Sequence, residues 1–254
     1  MAYVLFMDRP LKTLLLVCLL ALTPHHPAAA GKPLTVVELF TSQGCSSCPP
    51  ADAFLGELAT RRGLLALSFH VDYWDYLGWK DAFSSPLHTE RQRGYAKRLG
   101  LRFVYTPQMV IQGTAQATGS NRGAVLAGIE ESLDMERIDF GLRLESSGNI
   151  TVSLPEAPLG KEAEVWLVVF DRRHETPVRR GENSGRTIAN FNVVRSFRKI
   201  ATWRGAAKEI PAALPEMVQA GGDSAGGASC AVILQAAGTG RILGAAVVAL
   251  DSPG

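Results

Sequence analysis

At 254 residues, with 46% hydrophobic and 20% charged positions, the chain is long enough for one large domain or two ordinary ones and too apolar for a disordered one. Its formal net charge of +2 argues against a dedicated nucleic-acid binder. The pairs Arg172-Arg173 and Arg179-Arg180 read as a solvated loop, and the 25 glycines and 14 prolines as turns.

The N-terminal stretch carries Arg9 and Lys12, an apolar run over 14–22, and Ala28-Ala29-Ala30 before Gly31. That order predicts a cleaved secretory signal over 1–30, with a start at Met7 giving the more ordinary leader. Pro24-His25-His26-Pro27 ends the run short of the roughly 20 apolar residues a span needs, so no stable membrane anchor is expected. The expected location is secreted or periplasmic, an oxidising setting in which Cys45, Cys48 and Cys230 remain after cleavage. Cys230 lies in the apolar run Cys230-Ala-Val-Ile-Leu and reads as a buried core residue.

Next come a strand over 34–40, a helix over about 49–62 and a strand over 64–71, the order of a parallel pair joined by a crossover. An aromatic-rich segment with Tyr73, Trp74, Tyr76, Trp79 and Phe83 precedes a helix over about 86–99. Thr106-Pro107 opens a short strand that closes at Gly113, residues 114–118 return antiparallel to it, and Ser120 or Asn121 caps a helix to about 135. Past Arg137 the hydrophobic period falls to two, with a hairpin around 146–149 and further strands over 163–170, 187–200, 229–235 and 242–250. A Gly/Ser-rich loop is expected over 221–227. The pattern divides the chain into an α/β domain over 31–137 and an antiparallel all-β domain over 138–254.

The most informative stretch is Gly44-Cys45-Ser46-Ser47-Cys48-Pro49, between the first strand and its helix. Two cysteines at this spacing can close a small disulfide ring, and a helix N-terminus favours a thiolate through its dipole and free N–H groups. Cys45 is then the exposed attacking thiol and Cys48 the resolving one. Zinc would need a second ligand pair, which the chain lacks, so no metal site is assigned. A static structural bridge is the alternative for the same residues.

Strand, Cys-x-x-Cys helix, strand, inserted helix, Thr-Pro strand, strand and helix together resemble the thioredoxin fold over about 34–135. The resemblance puts Thr106-Pro107 in the place of that family's cis-proline, where it implies a backbone beside the thiols for substrate to pair with. It likewise implies that Glu38 is the buried acid that moves the proton of the resolving cysteine. The wording of residues 37–52, followed by Phe69-His70-Val71-Asp72-Tyr73-Trp74-Asp75, resembles a family of secreted thioredoxin-like proteins of unassigned function.

The candidate site is therefore Cys45, Cys48, Pro107 and Glu38 for chemistry, with Thr106, Trp74 and His70 for substrate. His70 and Asp72 can line a site or serve the strand end, and the aromatic cluster can form a substrate groove or fill a core. The loop over 180–186 can carry binding residues or merely connect strands. These residues point to an exported thiol–disulfide oxidoreductase that needs no cofactor and acts on cysteine-containing proteins or a redox partner. Alternatives are Cu(I) handling by the two thiols with His70 or another residue completing the set, and a non-catalytic adaptor. Ser46-Ser47 sets no direction of electron flow.

Overall fold

A computed structural model describes residues 1, 33–215, 227–238 and 240–250. The expected signal segment and Gly/Ser-rich loop lie outside the described residues, apart from Met1 and Gly227. Strand β1 (Thr35–Thr41) is buried along its whole length. Alternation sends Val37 and Leu39 to one face, against Phe54, Leu55 and Leu58, and Val36 and Phe40 to the other, against Tyr95. Helix α1 (Pro49–Ala59) opens on two prolines, which the first turn tolerates because its N–H groups have no helical acceptor. Strand β2 (Leu64–His70) runs parallel to β1, from Thr35 opposite Leu64 to Thr41 opposite His70.

The aromatic segment forms a single 3-10 turn, Asp75–Leu77. Helix α2 (Pro86–Arg98) follows, capped by the Ser85 hydroxyl accepting from the Leu87 N–H. Strands β3 (Gln108–Ile111) and β4 (Ala115–Thr118) return antiparallel beside β1, and Asn121 caps α3 (Arg122–Ser132). Later elements are β5 (Gly141–Leu144), β6 (Ile150–Leu154), β7 (Ala163–Pro177), β8 (Thr187–Trp203), β9 (Lys208–Ala212), β10 (Ala228–Ala236) and β11 (Ile242–Ala249).

These strands build an eight-stranded mixed sheet, ordered β11-β10-β7-β8-β2-β1-β3-β4, and a separate antiparallel sheet, β5-β6-β9. The main sheet thus runs across the expected boundary at 137/138. β8 joins β2 in parallel through one registered pair, Ser68 and Val193, where Asn192 at φ 45° donates its side-chain amide to the Ala66 carbonyl at 2.7 Å. β7 continues past 170 to Pro177 because its polar end is held by pairing with β8 rather than by burial. Among the described residues, no helix is long and apolar enough to cross a membrane.

Candidate functional site

Cys45 and Cys48 form a disulfide with their Cα atoms 5.4 Å apart. The ring sits at the head of α1, with Cys48 as N-cap and the Cys48 N–H donating to the Cys45 carbonyl at 3.2 Å. Pro49 and Pro50 bring no N–H, and those of Ala51 and Asp52 both donate to the Cys48 carbonyl. The helix therefore reaches the sulfurs through its dipole, not through free donors. Ser46 and Ser47 face solvent, but Cys45 and Cys48 are both 0% exposed. The expectation of an exposed Cys45 is corrected: the folded chain encloses it, and other elements bond to the turn that carries it.

Three segments close on this turn. The indole N–H of Trp74 donates to the Thr106 hydroxyl at 2.8 Å, while its Cβ lies within 3.3 Å of where a Cβ on Gly44 would stand. Trp74 thus links the thiol turn to the Thr106–Pro107 bond, which is cis. Pro107 is buried; its Cβ and that of Ala51, one turn into α1, both crowd the space above Gly119. From another side, Asp81 accepts the Gln43 N–H at 2.8 Å and the His70 Nδ1–H at 2.6 Å. The Gln43 side chain accepts from Trp79 and donates to Thr176 and Asn190, tying the turn to β7 and β8.

The third segment is the tip between β7 and β8. Glu182 Oε2 accepts the Ser46 N–H at 3.1 Å. The buried Asn183 amide donates to the Gln43 carbonyl at 3.0 Å and the Cys45 carbonyl at 2.9 Å.

A second buried acid, besides Asp81, lies close to the ring. Asp52 sits one helical turn beyond Cys48, so the two share a helix face. Its Oδ1 accepts from the Thr41 hydroxyl at 2.9 Å, whereas Oδ2 has no protein partner, a condition shared by His70 Nε2, Ser68 Oγ and Asn190 Nδ2. Burial pushes the Asp52 carboxyl up to about 7, against the opposing pull of His70 and Thr41. Burial works against a His70 imidazolium, but the carboxylates of Asp81, Asp52 and Asp75 outweigh it and hold its pKa above the ordinary value. Asp81 lies below the usual carboxylate range because His70 and the Gln43 and Phe83 N–H groups overcome its burial.

Cys45, Cys48, Pro107, Thr106, Trp74 and His70 are brought to this end of the sheet. Glu38 is not. It points to the opposite face of β1, where Arg91 Nε donates to it at 2.7 Å and the Tyr95 hydroxyl donates to its other oxygen. The acid assigned by resemblance is thus an ion-pair partner, and Asp52 is the acid beside the thiols. Its i+4 spacing from Cys48 was available from the sequence. Glu182 and Asn183, 136 and 138 residues from Ser46 and Cys45, carried no such signal.

Asp72 accepts from Thr89 at 2.5 Å and serves the α2 packing. The aromatics scatter around the turn rather than lining one groove: Trp79 holds Gln43, Phe83 packs on His70 at 5.4 Å, and Tyr76 is exposed. His70, one candidate for the third ligand of the copper alternative, gives its Nδ1 to Asp81. Among the described residues no group of three or more His, Cys, Asp or Glu is arranged to hold a metal ion. Cys230 is buried and unpaired, its thiol pushed up to about 12 by burial, which leaves it inert.

No curated protein matches the chain in sequence. Among solved structures, protein AGR_C_4864 from Agrobacterium tumefaciens is 30% identical with a TM-score of 0.72, covering 90% of this chain and 98% of its own. HBP35 of Porphyromonas gingivalis, 11% identical with a TM-score of 0.58 over 87% of this chain and 76% of its own, shares the fold alone. Residues 36–235, which take in the thiol turn, Asp52, the cis proline and the tip bonded to that turn, match a family described as a protein of unknown function, and the chain belongs to that family, DUF1223.

Proposed function

We propose that this protein is an exported, thioredoxin-like thiol–disulfide oxidoreductase whose Cys45–Cys48 pair exchanges with cysteines of other proteins. The observation that carries the reading is the pairing of a disulfide at the head of α1 with a buried acid, Asp52, one turn deeper and titrating near 7. In the oxidising direction a substrate thiolate attacks Cys45 Sγ, the Cys45–Cys48 bond breaks, and Cys48 leaves with the electron pair and takes the Asp52 proton. A second substrate thiol, deprotonated by Asp52, then attacks the substrate sulfur of the mixed disulfide, and Cys45 leaves and is protonated from solvent. Two electrons pass from the substrate thiols to the protein, and the reverse sequence reduces a substrate disulfide. Thr106 and Trp74 flank the ring where a bound chain would lie.

Burial of both cysteines is the observation that favours a static bridge instead. Dithiothreitol-dependent reduction of insulin and refolding of a scrambled disulfide substrate separate the two. The wild type should accelerate one of them and Cys45→Ser should not. Absence of catalysis in the wild type, or equal catalysis in Cys45→Ser, removes the redox reading.

A further inference from the structure

The tip over residues 178–186 meets the thiol turn through an unusual set of contacts. Three backbone groups of that turn are satisfied by two consecutive side chains: the Ser46 N–H by Glu182, and the Gln43 and Cys45 carbonyls by Asn183. One acceptor and two donors are what the backbone of an extended peptide would offer the same groups. Gly181 of the tip packs against Leu77 and Trp79, and the remaining backbone contacts are internal. Val178 N–H donates to the Arg186 carbonyl and Gly185 N–H to the Val178 carbonyl, both at 2.9 Å, and Arg186 N–H to the Asn183 carbonyl at 3.1 Å.

Gly181 and Gly185, at φ of 75° and 83°, flank the contacting residues. Arg179, Arg180, Ser184 and Arg186 all face solvent. With Val178 as its one buried apolar side chain, the tip belongs to the part of a fold that opens most readily. Next to it a groove of about 320 Å³, lined by Pro49, Ala53, Ile188 and Phe191 with Arg186 at its edge, runs between α1 and β8 to the residue after Cys48.

We propose that this tip is an internal stand-in for substrate: it covers Cys45 until an extended, cysteine-bearing polypeptide segment displaces Glu182 and Asn183 from the thiol turn. This rests on the oxidoreductase reading. The substrate class is an unfolded or extended chain, whose backbone takes over the three contacts and whose apolar side chains enter the groove. Glu182 also sets reactivity, because its carboxylate beside Ser46 opposes a thiolate on Cys45. The Ser46 hydroxyl and N–H hold that carboxyl below its usual range, so it is charged at neutral pH.

The test uses the full oxidised protein and dithiothreitol. The reagent thiolate attacks Cys45 Sγ, Cys48 leaves and is protonated, and the second reagent thiol closes its own disulfide and frees Cys45. Rates are read by alkylation and mass. Asn183→Ala, which removes two hydrogen bonds, should be reduced at least about tenfold faster than wild type, and Glu182→Gln about threefold faster. In the reduced protein, Glu182→Gln should also shift the pH profile of Cys45 alkylation downward, which mere loosening of the fold would not do. Glu182 is fully exposed, so this variant folds even if Asn183→Ala does not.

Faster reduction with a matching rise in insulin turnover supports the stand-in. Wild-type reduction rates and an unmoved alkylation profile in Glu182→Gln, with insulin turnover intact, overturn the tip proposal alone. Faster reduction with no insulin turnover in any form overturns the oxidoreductase reading, and the stand-in with it.

Discussion

Glu38 and Asp52 are both carboxylates sealed inside the protein, on opposite faces of the main sheet, and their surroundings differ in one respect. Around Glu38 both oxygens accept hydrogen bonds, from Arg91 and from Tyr95. Arg91 in turn donates to Gln235 at 3.2 Å and lies 4.3 Å from the Phe197 ring centroid. Around Asp52 the Thr41 hydroxyl donates to one oxygen and the other is unpaired, with His70 and the Asn190 amide near enough to pull against its burial. A completely paired buried charge is a structural joint. A half-paired one holds its proton up to neutral pH and can give it away, which is what the chemistry of a neighbouring thiol requires.

The most severe way to break the Glu38 side of this contrast is Arg91→Ala. Leaving Glu38 without its counter-ion should cost about 3–5 kcal/mol in urea unfolding; a loss under about 1 kcal/mol would erase the distinction. Asp52→Asn should do the opposite. In the folded chain Asp52 keeps its proton up to about 7, but unfolded only up to about 3.8, so between those values the folded state binds more protons. Its contribution is therefore complete below pH 3.8 and declines as pH rises to 7. Removing the charge should stabilise the protein by about 2–4 kcal/mol at pH 8 and by little at pH 4, while slowing thiol exchange about 100-fold. A stability difference that grew toward acid would have the wrong sign.

His70, with its raised pKa, acts in the same direction: its stabilisation is full below its unfolded value and is lost as pH climbs past the folded one. The smallest effect belongs to Cys230→Ala, which should cost about 1 kcal/mol and leave exchange unchanged. Alkylation of native Cys230 at pH 8 within minutes would show that burial does not silence it.

Local features were legible from the residues. The apolar run of β1, the prolines opening α1, the caps at Ser85 and Asn121, and the change of period after Arg137 all follow from neighbours in sequence. What the residues hid depends on partners far along the chain. Arg91 finds Glu38 53 residues earlier, and Asn183 donates to the carbonyl of a cysteine 138 residues earlier. Glu38 is buried, as the resemblance implied, but it lies on the face of β1 where Arg91 and Tyr95 of α2 pack. The sheet's continuity across 137/138 was equally hidden, since a single registered pair and one asparagine side chain join β2 to β8.

Gln235 completes the Arg91 and Tyr95 cluster from 144 and 140 residues further on. Strand β10 is thus needed before the earliest strands have their full set of contacts. During synthesis, the charged pair on β1 and α2 must wait with an empty amide socket until β10 has been made. A nascent or C-terminally truncated chain would offer that socket, and the apolar face around Phe69 and Tyr95, to holding chaperones.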